Sequence, residues 1–298
     1  MTPTAPPVSY RHLRHQLPNM LAMAGGGLRS VLPTGKGAAA KPLQQRMKAP
    51  PPHLLDAYHR WSGMDVARYG GCIAPHFAAG QMGLRMISQL TAQSPYPLLS
   101  VVNQGVHIVV NEALPRDGSF RLAGRLMDAS DDSYRARIHS QVRISSESVE
   151  DAVIIDAYAA VMLRARTNRK AKKERPVPFT TVGHWQAAAN EGVRFFKLTG
   201  DFNPLHTLPL LARRTRYGGC IMHGYGSFAQ LFEAIRRAGW DIAEIDTRFV
   251  RAVPLPSPEL LIQVADTADA QGRRLVRMVD AESNIYQAGS FLPTAETA

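Results

Sequence analysis

The sequence contains little cysteine and no long apolar run. Among its 298 residues only Cys72 and Cys220 are cysteines, too few for a disulfide framework or an unaided zinc site. We interpret both as small buried residues in a reducing compartment. No apolar stretch approaches the roughly 20 residues of a membrane-spanning helix. The short run from 17 to 24 is broken by Pro18 and Asn19 and is too polar for a signal peptide. We therefore expect a cytoplasmic protein.

Acidic residues are scarce relative to basic ones. The 24 Asp and Glu residues against 35 Lys and Arg leave a net charge of +11, which favours acidic partners such as nucleic acid, anionic lipid or a phosphorylated small ligand. The densest basic run, 164–175, is interpreted as a solvated linker, with docking of an acidic partner or of ligand phosphates as the alternative. No helix-turn-helix pattern, zinc signature or basic patch interleaved with aromatics is present, so no nucleic-acid partner is expected.

One six-residue string, RYGGCI, occurs twice, at 68–73 and at 216–221. Each copy precedes an apolar helical pattern and then four strand-like segments. No helix lies between the strands, so each sheet should be antiparallel. The repeat predicts an α+β fold that occurs twice, each unit an antiparallel sheet around a buried helix, the two paired as a pseudo-dimer. The predicted strands are 99–110, 120–129, 134–145, 153–165, 177–182, 245–253, 259–265, 274–280 and 284–292.

These patterns divide the chain into four parts. Residues 1–39 form an N-terminal arm, in which Leu13, Leu17 and Leu21 lie on one face of a short helix ended by the glycines at 25–27. A first unit covers 40–166, a basic linker 167–178 and a second unit 179–298.

The segment from Gly200 to His206 has the highest concentration in the sequence of side chains that can act in acid/base catalysis. Asp201 and His206 are close enough in sequence to share one water molecule as an acid/base pair, and Asn203 can orient that pair or a substrate. Pro204 and Gly200 predict a rigid loop rather than a helix. The corresponding segment of the first copy, from Gly63 to Arg68, is much shorter and lacks these side chains. Any chemistry therefore belongs to the second unit.

A second glycine-rich element follows at 217–224 and precedes a predicted helix over 225–238. Backbone N–H groups at a helix N-terminus are unpaired and lie at the positive end of the dipole. The N–H of Gly224 can therefore stabilise an oxyanion that forms on a carbonyl group.

Residues 196–206, with Ala212 and the dipeptide His223-Gly224, resemble the hydratase 2 motif of MaoC-like dehydratases, the (R)-specific enoyl-CoA hydratases. The resemblance implies a double hot dog fold, two antiparallel sheets each wrapping a long helix, with the motif in only one half. It also implies reversible syn hydration of trans-2-enoyl thioesters to (3R)-hydroxyacyl thioesters. In that reaction Asp201 and His206 activate water and Asn203 orients the site. The Gly224 N–H polarises the thioester carbonyl, and no metal or redox cofactor is needed.

A set of neighbouring residues is predicted to bind substrate: Gly219, His223, Arg213, Arg214 and Arg216. For His223 the alternative is a structural role in holding the loop. For the three arginines the alternatives are contacts to the phosphates of coenzyme A or a carrier protein, or a solvated basic turn. The shortened segment of the first copy is predicted to leave room for a long substrate tail.

Other functions stay open on sequence grounds. The same fold and the same Asp/His pair would also suit an acyl thioesterase or a carrier-protein dehydratase. A non-catalytic protein that binds acyl thioesters is a further hypothesis. We also expect a homodimer.

Overall fold

The computed structural model describes residues 7–29, 40–69, 71–96, 101–132, 134–164 and 177–294. Most of the predicted basic linker, and the end of the predicted arm from residue 30, lie outside this range.

In each half of the described chain, helices are followed by a run of strands with no helix between them, as the repeat predicts. The strands are β1 (Leu43–Lys48), β2 (Cys72–Ile73), β3 (Val101–Val110), β4 (Leu114–Pro115), β5 (Ser119–Asp131), β6 (Arg135–Ser145), β7 (Val153–Met162), β8 (Phe179–Trp185), β9 (Ile242–Phe249), β10 (Leu260–Ala268), β11 (Arg274–Val279) and β12 (Ile285–Pro293). The α-helices are α1 (Leu17–Arg29), α2 (Pro52–Ser62), α3 (Pro75–Phe77), α4 (Leu84–Thr91), α5 (Glu191–Thr199), α6 (Pro204–Thr207), α7 (Pro209–Ala212) and α8 (Gly224–Arg237).

Ten of the strands form one antiparallel sheet, in the order β1-β5-β6-β7-β3-β9-β12-β11-β10-β8. The order is symmetric about the β3–β9 pair, where Ile108 lies opposite Ile245 and Val106 opposite Thr247. The first five strands come from the N-terminal half of the chain and the last five from the C-terminal half. The predicted α+β class and the duplicated antiparallel architecture, the double hot dog arrangement, are therefore confirmed, whereas the predicted domain boundaries stay predictions.

Each half packs its central helix against its own strands. In the C-terminal half α8 is buried along most of its length, and Phe228 and Phe232 are fully enclosed. Burial of such a side chain contributes about 1.5–3 kcal/mol. In the N-terminal half the predicted single helix is instead divided into α3, a π-helical stretch (Ala78–Met82) and α4.

The N-terminal arm corrects one prediction. Its helix α1 does not end at the glycines but continues to Arg29, after a 3₁₀ helix at Tyr10–His15. Leu17 and Leu21, predicted to lie on the packing face, are exposed, while the polar Gln16 and Asn19 are buried. Hydrogen bonds from buried amides therefore help to hold this part of the arm.

No helix among the described residues is long and apolar enough to cross a membrane.

Candidate active site

The predicted catalytic segment begins where α5 ends. Gly200 follows its last turn with a left-handed φ of +78°, a conformation that favours glycine. The chain then turns so that Asp201 lies almost fully buried, with its backbone N–H donating to Thr199 Oγ1 at 3.3 Å. The position of the Asp201 carboxyl group is thus set by the end of a helix.

His206 lies in a one-turn helix, α6, and not in the wholly irregular loop that the sequence predicted. Pro204 occupies the first helical position, where its missing N–H costs nothing. Asn203 caps this turn because its Oδ1 accepts from the N–H of Leu205 at 3.0 Å. Asn203 therefore has a defined structural role in addition to any role in orienting a substrate.

A single hydrogen bond identifies the tautomer of His206. Its Nδ1 lies 2.9 Å from the carbonyl oxygen of Ile221, and a carbonyl oxygen can only accept. The hydrogen of the neutral ring is therefore on Nδ1, and Nε2 carries the free lone pair. A lone pair at Nε2 is what a general base needs.

His223 supports this arrangement from behind. It is buried, its Nε2 donates to the backbone carbonyl of Asp201 at 2.9 Å, and its ring centroid lies 3.9 Å from that of His206. This bond ties His223 to the catalytic loop, and His223 is not among the pocket-lining residues.

Burial shifts the pKa values of Asp201 and His206 in opposite directions. It raises the pKa of the Asp201 carboxyl group above its ordinary value of 3.8, an effect that His206 partly offsets. It lowers the pKa of His206 to about 3, with the neighbouring His223 acting in the same direction. The imidazole is consequently neutral near pH 7, with its Nε2 lone pair unprotonated.

Asp201 and His206 line one pocket of about 350 Å³ that extends between the two halves of the molecule. Asn203 and Gly224 also line it, as do Leu84 and Ile87 of α4. The structure thus brings the predicted catalytic residues together and adds the helix of the other half as a wall. A separate cavity of about 480 Å³ lies beside β1 and β5 and contains none of the predicted site residues.

Gly224 is the first residue of α8, as predicted for an oxyanion-binding N–H. A Cβ at this position would lie 2.5 Å from the ring of Phe249, which itself lines the pocket. Only glycine fits here without displacing that ring. The first N–H groups of a helix have no partner within the helix, so this donor is available to a ligand.

The predicted substrate-binding residues are dispersed. Arg216 lines the pocket, whereas Arg213 and Arg214 are exposed and, like Gly219, are not among its lining residues.

Tyr225, Arg251 and Met23 are among the lining residues that sequence reasoning did not identify. Tyr225 and Arg251 belong to none of the motifs, and Met23 belongs to the arm. Burial raises the pKa of Tyr225, and the charge of Asp201 adds to this effect. The position of Tyr225 directly after Gly224 was the one available signal.

Among the described residues, no group of three or more His, Cys, Asp or Glu side chains is arranged to hold a metal ion.

Residues 163–283 match the model of the MaoC like domain. No curated protein sequence matches the chain.

Three solved structures share the fold. HtdX of Mycobacterium tuberculosis superposes with a TM-score of 0.69 at 15% identity, over 85% of this chain and 100% of that one. A MaoC-like dehydratase from Phytophthora capsici superposes with a TM-score of 0.65 at 14% identity, over 86% of this chain and 97% of that one. The peroxisomal multifunctional enzyme type 2 of Drosophila melanogaster superposes with a TM-score of 0.63 at 16% identity, over 92% of this chain and 52% of that one. At these identities the similarity establishes the fold.

Proposed function

We propose that this protein reversibly hydrates trans-2-enoyl thioesters to (3R)-hydroxyacyl thioesters, because residues 163–283 match the model of the MaoC like domain. The single active site is in the C-terminal half. The observation that carries the proposal is that Asp201, His206 and the first residue of α8, Gly224, line the same pocket.

The reaction follows from what each group offers. A water molecule held between the Asp201 carboxylate and His206 Nε2 attacks C3 of the enoyl group, which forms the C–O bond and breaks the C2–C3 π bond. The electron pair moves to the thioester oxygen as an enolate, and the Gly224 N–H stabilises the developing charge. The proton that leaves the water passes through the acid/base pair to C2 on the same face, so the addition is syn.

Asn203 restrains this geometry. Its side chain accepts from the Leu205 N–H, and its carbonyl accepts from the His206 N–H at 2.9 Å. It thereby fixes the turn that carries His206, and its carboxamide lines the pocket near the proposed water.

The thioester is proposed to enter at the basic end of the pocket. Arg216 and Arg251 line it, and the exposed Arg213 and Arg214 precede them along the chain. Guanidinium groups bind phosphate oxygens in a bidentate manner, which suits coenzyme A or a phosphopantetheine arm. The acyl group extends toward Leu84 and Ile87 of the N-terminal half.

Product analysis tests the proposal against the alternatives. Purified protein is incubated with crotonyl-CoA while enoyl absorbance and free thiol are followed in parallel, and the product is resolved on a chiral column. The proposal predicts loss of enoyl absorbance without thiol release and a (3R)-hydroxybutyryl product. Stoichiometric thiol release would instead identify a thioesterase, and binding without either change a non-catalytic thioester-binding protein.

A further inference from the structure

The N-terminal arm contacts the helix that presents Asp201. The buried Val8 accepts from Lys197 Nζ through its carbonyl oxygen at 3.1 Å, and the same ammonium group lies 3.5 Å from the ring centroid of Tyr10. Lys197 is in the last turn of α5. The start of the arm is therefore attached to the element that leads into the catalytic loop.

Two buried amides of the arm complete the C-terminal end of α5. The last carbonyl groups of a helix lack partners within it. Gln16 Nε2 donates to the carbonyl oxygen of Leu198 at 2.7 Å, and Asn19 Nδ2 donates to that of Thr199 at 2.8 Å. Thr199 is two residues before Asp201, so these bonds restrain the backbone next to the proposed acid/base group.

The arm also packs closely against Gly200. A Cβ on Gly200 would lie 2.8 Å from Cβ of Gln16 and 3.0 Å from Cβ of Asn19. The arm occupies the space that a side chain at this position would need. The left-handed turn into Asp201 and the position of the arm are thus mutually dependent.

The same amides also connect the N-terminal half. Gln81, in the π-helical stretch of the central helix, donates through Nε2 to Gln16 Oε1 at 3.1 Å, and its carbonyl oxygen accepts from Asn19 Nδ2 at 3.0 Å. These three amides bridge the arm, the N-terminal central helix and the end of α5. The catalytic loop, which follows α5, is therefore held against the arm and against the N-terminal central helix.

One turn beyond Asn19, the arm reaches the pocket. Residues four apart lie on the same face of a helix, and Met23 lines the pocket together with Leu84 and Ile87 of α4. Its flexible thioether adds apolar surface to the pocket lining.

We propose that the arm contributes three residues to the active site: Gln16 and Asn19 as positioning residues for Asp201, and Met23 as a determinant of acyl-chain length. The proposal rests on the function inferred above for this pocket. Asp201 and His206 are equally available to every substrate, whereas Met23 limits the space for the acyl tail. The first role therefore affects turnover, and the second affects the choice of substrate.

Chain-length ratios test the role of Met23. The full chain and its Met23→Trp and Met23→Ala variants are assayed with trans-2-butenoyl-CoA and trans-2-decenoyl-CoA. We expect the ratio of kcat/KM for the long to the short substrate to fall about tenfold in Met23→Trp and to rise in Met23→Ala. The matched control is Leu21→Ala, on the same helix but exposed, which keeps the wild-type ratio. A ratio within twofold of wild type in both Met23 variants overturns the assignment.

The ratio also separates this inference from the proposed function. It does not depend on the fraction of folded protein. If the unmodified chain hydrates neither substrate, the proposed function fails, and the same variants are compared through the Kd of butyryl-CoA and decanoyl-CoA by calorimetry. An unchanged Kd ratio then overturns the role of Met23 by itself, whereas a shifted ratio supports it.

The positioning role is tested by Asn19→Ala. We expect kcat to fall about 10- to 100-fold with little change in KM, and the acid limb of the pH profile to move to lower pH as water reaches Asp201. A smaller fraction of folded protein would lower the activity by the same factor at every pH and would not move the acid limb of the pH profile. Unchanged kcat and an unchanged limb overturn the role. The neutral Asn19→Leu, which is similar in volume and also removes the donors, replaces the alanine variant if that does not fold.

Discussion

At the residue scale, the proposed reaction depends on Asp201 and His206, whose pKa values are shifted in opposite directions by burial. The sequence identified Asp201 and His206 by residue type and spacing. It could not identify the tautomer of His206, because the acceptor that selects it is a backbone carbonyl of Ile221, beyond α7. Nor could it single out Arg251, whose contribution depends on where the strand after α8 ends.

The opposite shifts predict the shape of the pH profile. His206, with a pKa of about 3, stays neutral through the physiological range, so Asp201 is the group that changes charge on the acid side. The active form needs the carboxylate, and burial raises the pKa of that carboxyl group. We therefore expect kcat/KM for crotonyl-CoA to fall with decreasing pH along one limb centred above 3.8. A limb near pH 6.5, the ordinary range of an imidazole, would contradict this assignment.

At the element scale, the strands were the most predictable part of the molecule. Alternating burial along β6, for example, follows directly from its alternating apolar and polar residues. The irregular elements were less predictable because their partners are remote in sequence. Pro204 was interpreted as a helix breaker but starts α6, and α1 is held by amides bonded to α5 and to the N-terminal central helix.

Gly200 and Gly63 provide a matched test of the catalytic loop. Both end equivalent helices in the left-handed region, with φ of +78° and +67°. An alanine in that region loses about 1–2 kcal/mol, so both Gly200→Ala and Gly63→Ala should lower the free energy of unfolding. Only Gly200→Ala also meets the arm at Gln16, and only it should reduce kcat.

Urea unfolding and crotonyl-CoA turnover measure the two effects. The Cβ of Gly63→Ala meets only the end of the Arg237 side chain, at 3.1 Å. Equal losses of kcat in the two variants would mean that the turn at Gly200 has no special relation to the site.

At the scale of the whole molecule, a buried polar cluster joins the two halves. Glu233 of α8 accepts from the hydroxyl of Tyr69 and from His76 Nε2, each at 2.6 Å, and His76 Nδ1 lies 2.8 Å from the Tyr58 hydroxyl. Burial alone would raise the pKa of Glu233, but its bonds to His76 and Tyr69 lower it. The repeat in the sequence predicted two paired units but not this connection, since only Tyr69 belongs to the repeated string and its three partners belong to no motif.

Removal of this acceptor should be costly. Glu233→Met keeps the side-chain volume but leaves Tyr69 and His76 without their buried partner, so we expect a loss of about 3–5 kcal/mol in the free energy of unfolding. The control is Glu259→Met. Glu259 pairs with His184 on the surface, where both side chains are more than 60% exposed and such a pair contributes about 1 kcal/mol or less. Similar losses in the two variants, measured by urea titration, would show that the cluster does not stabilise the pairing of the halves.

The central claim is that one carboxyl group in the C-terminal half is required for hydration. The most direct test compares wild-type protein with Asp201→Asn for crotonyl-CoA hydration, with circular dichroism to verify the fold and the exposed Asp117→Asn as the control. We expect Asp201→Asn to lose about 10²- to 10⁴-fold in kcat while remaining folded, and Asp117→Asn to retain wild-type activity. Retention of full hydratase activity by folded Asp201→Asn would contradict the account.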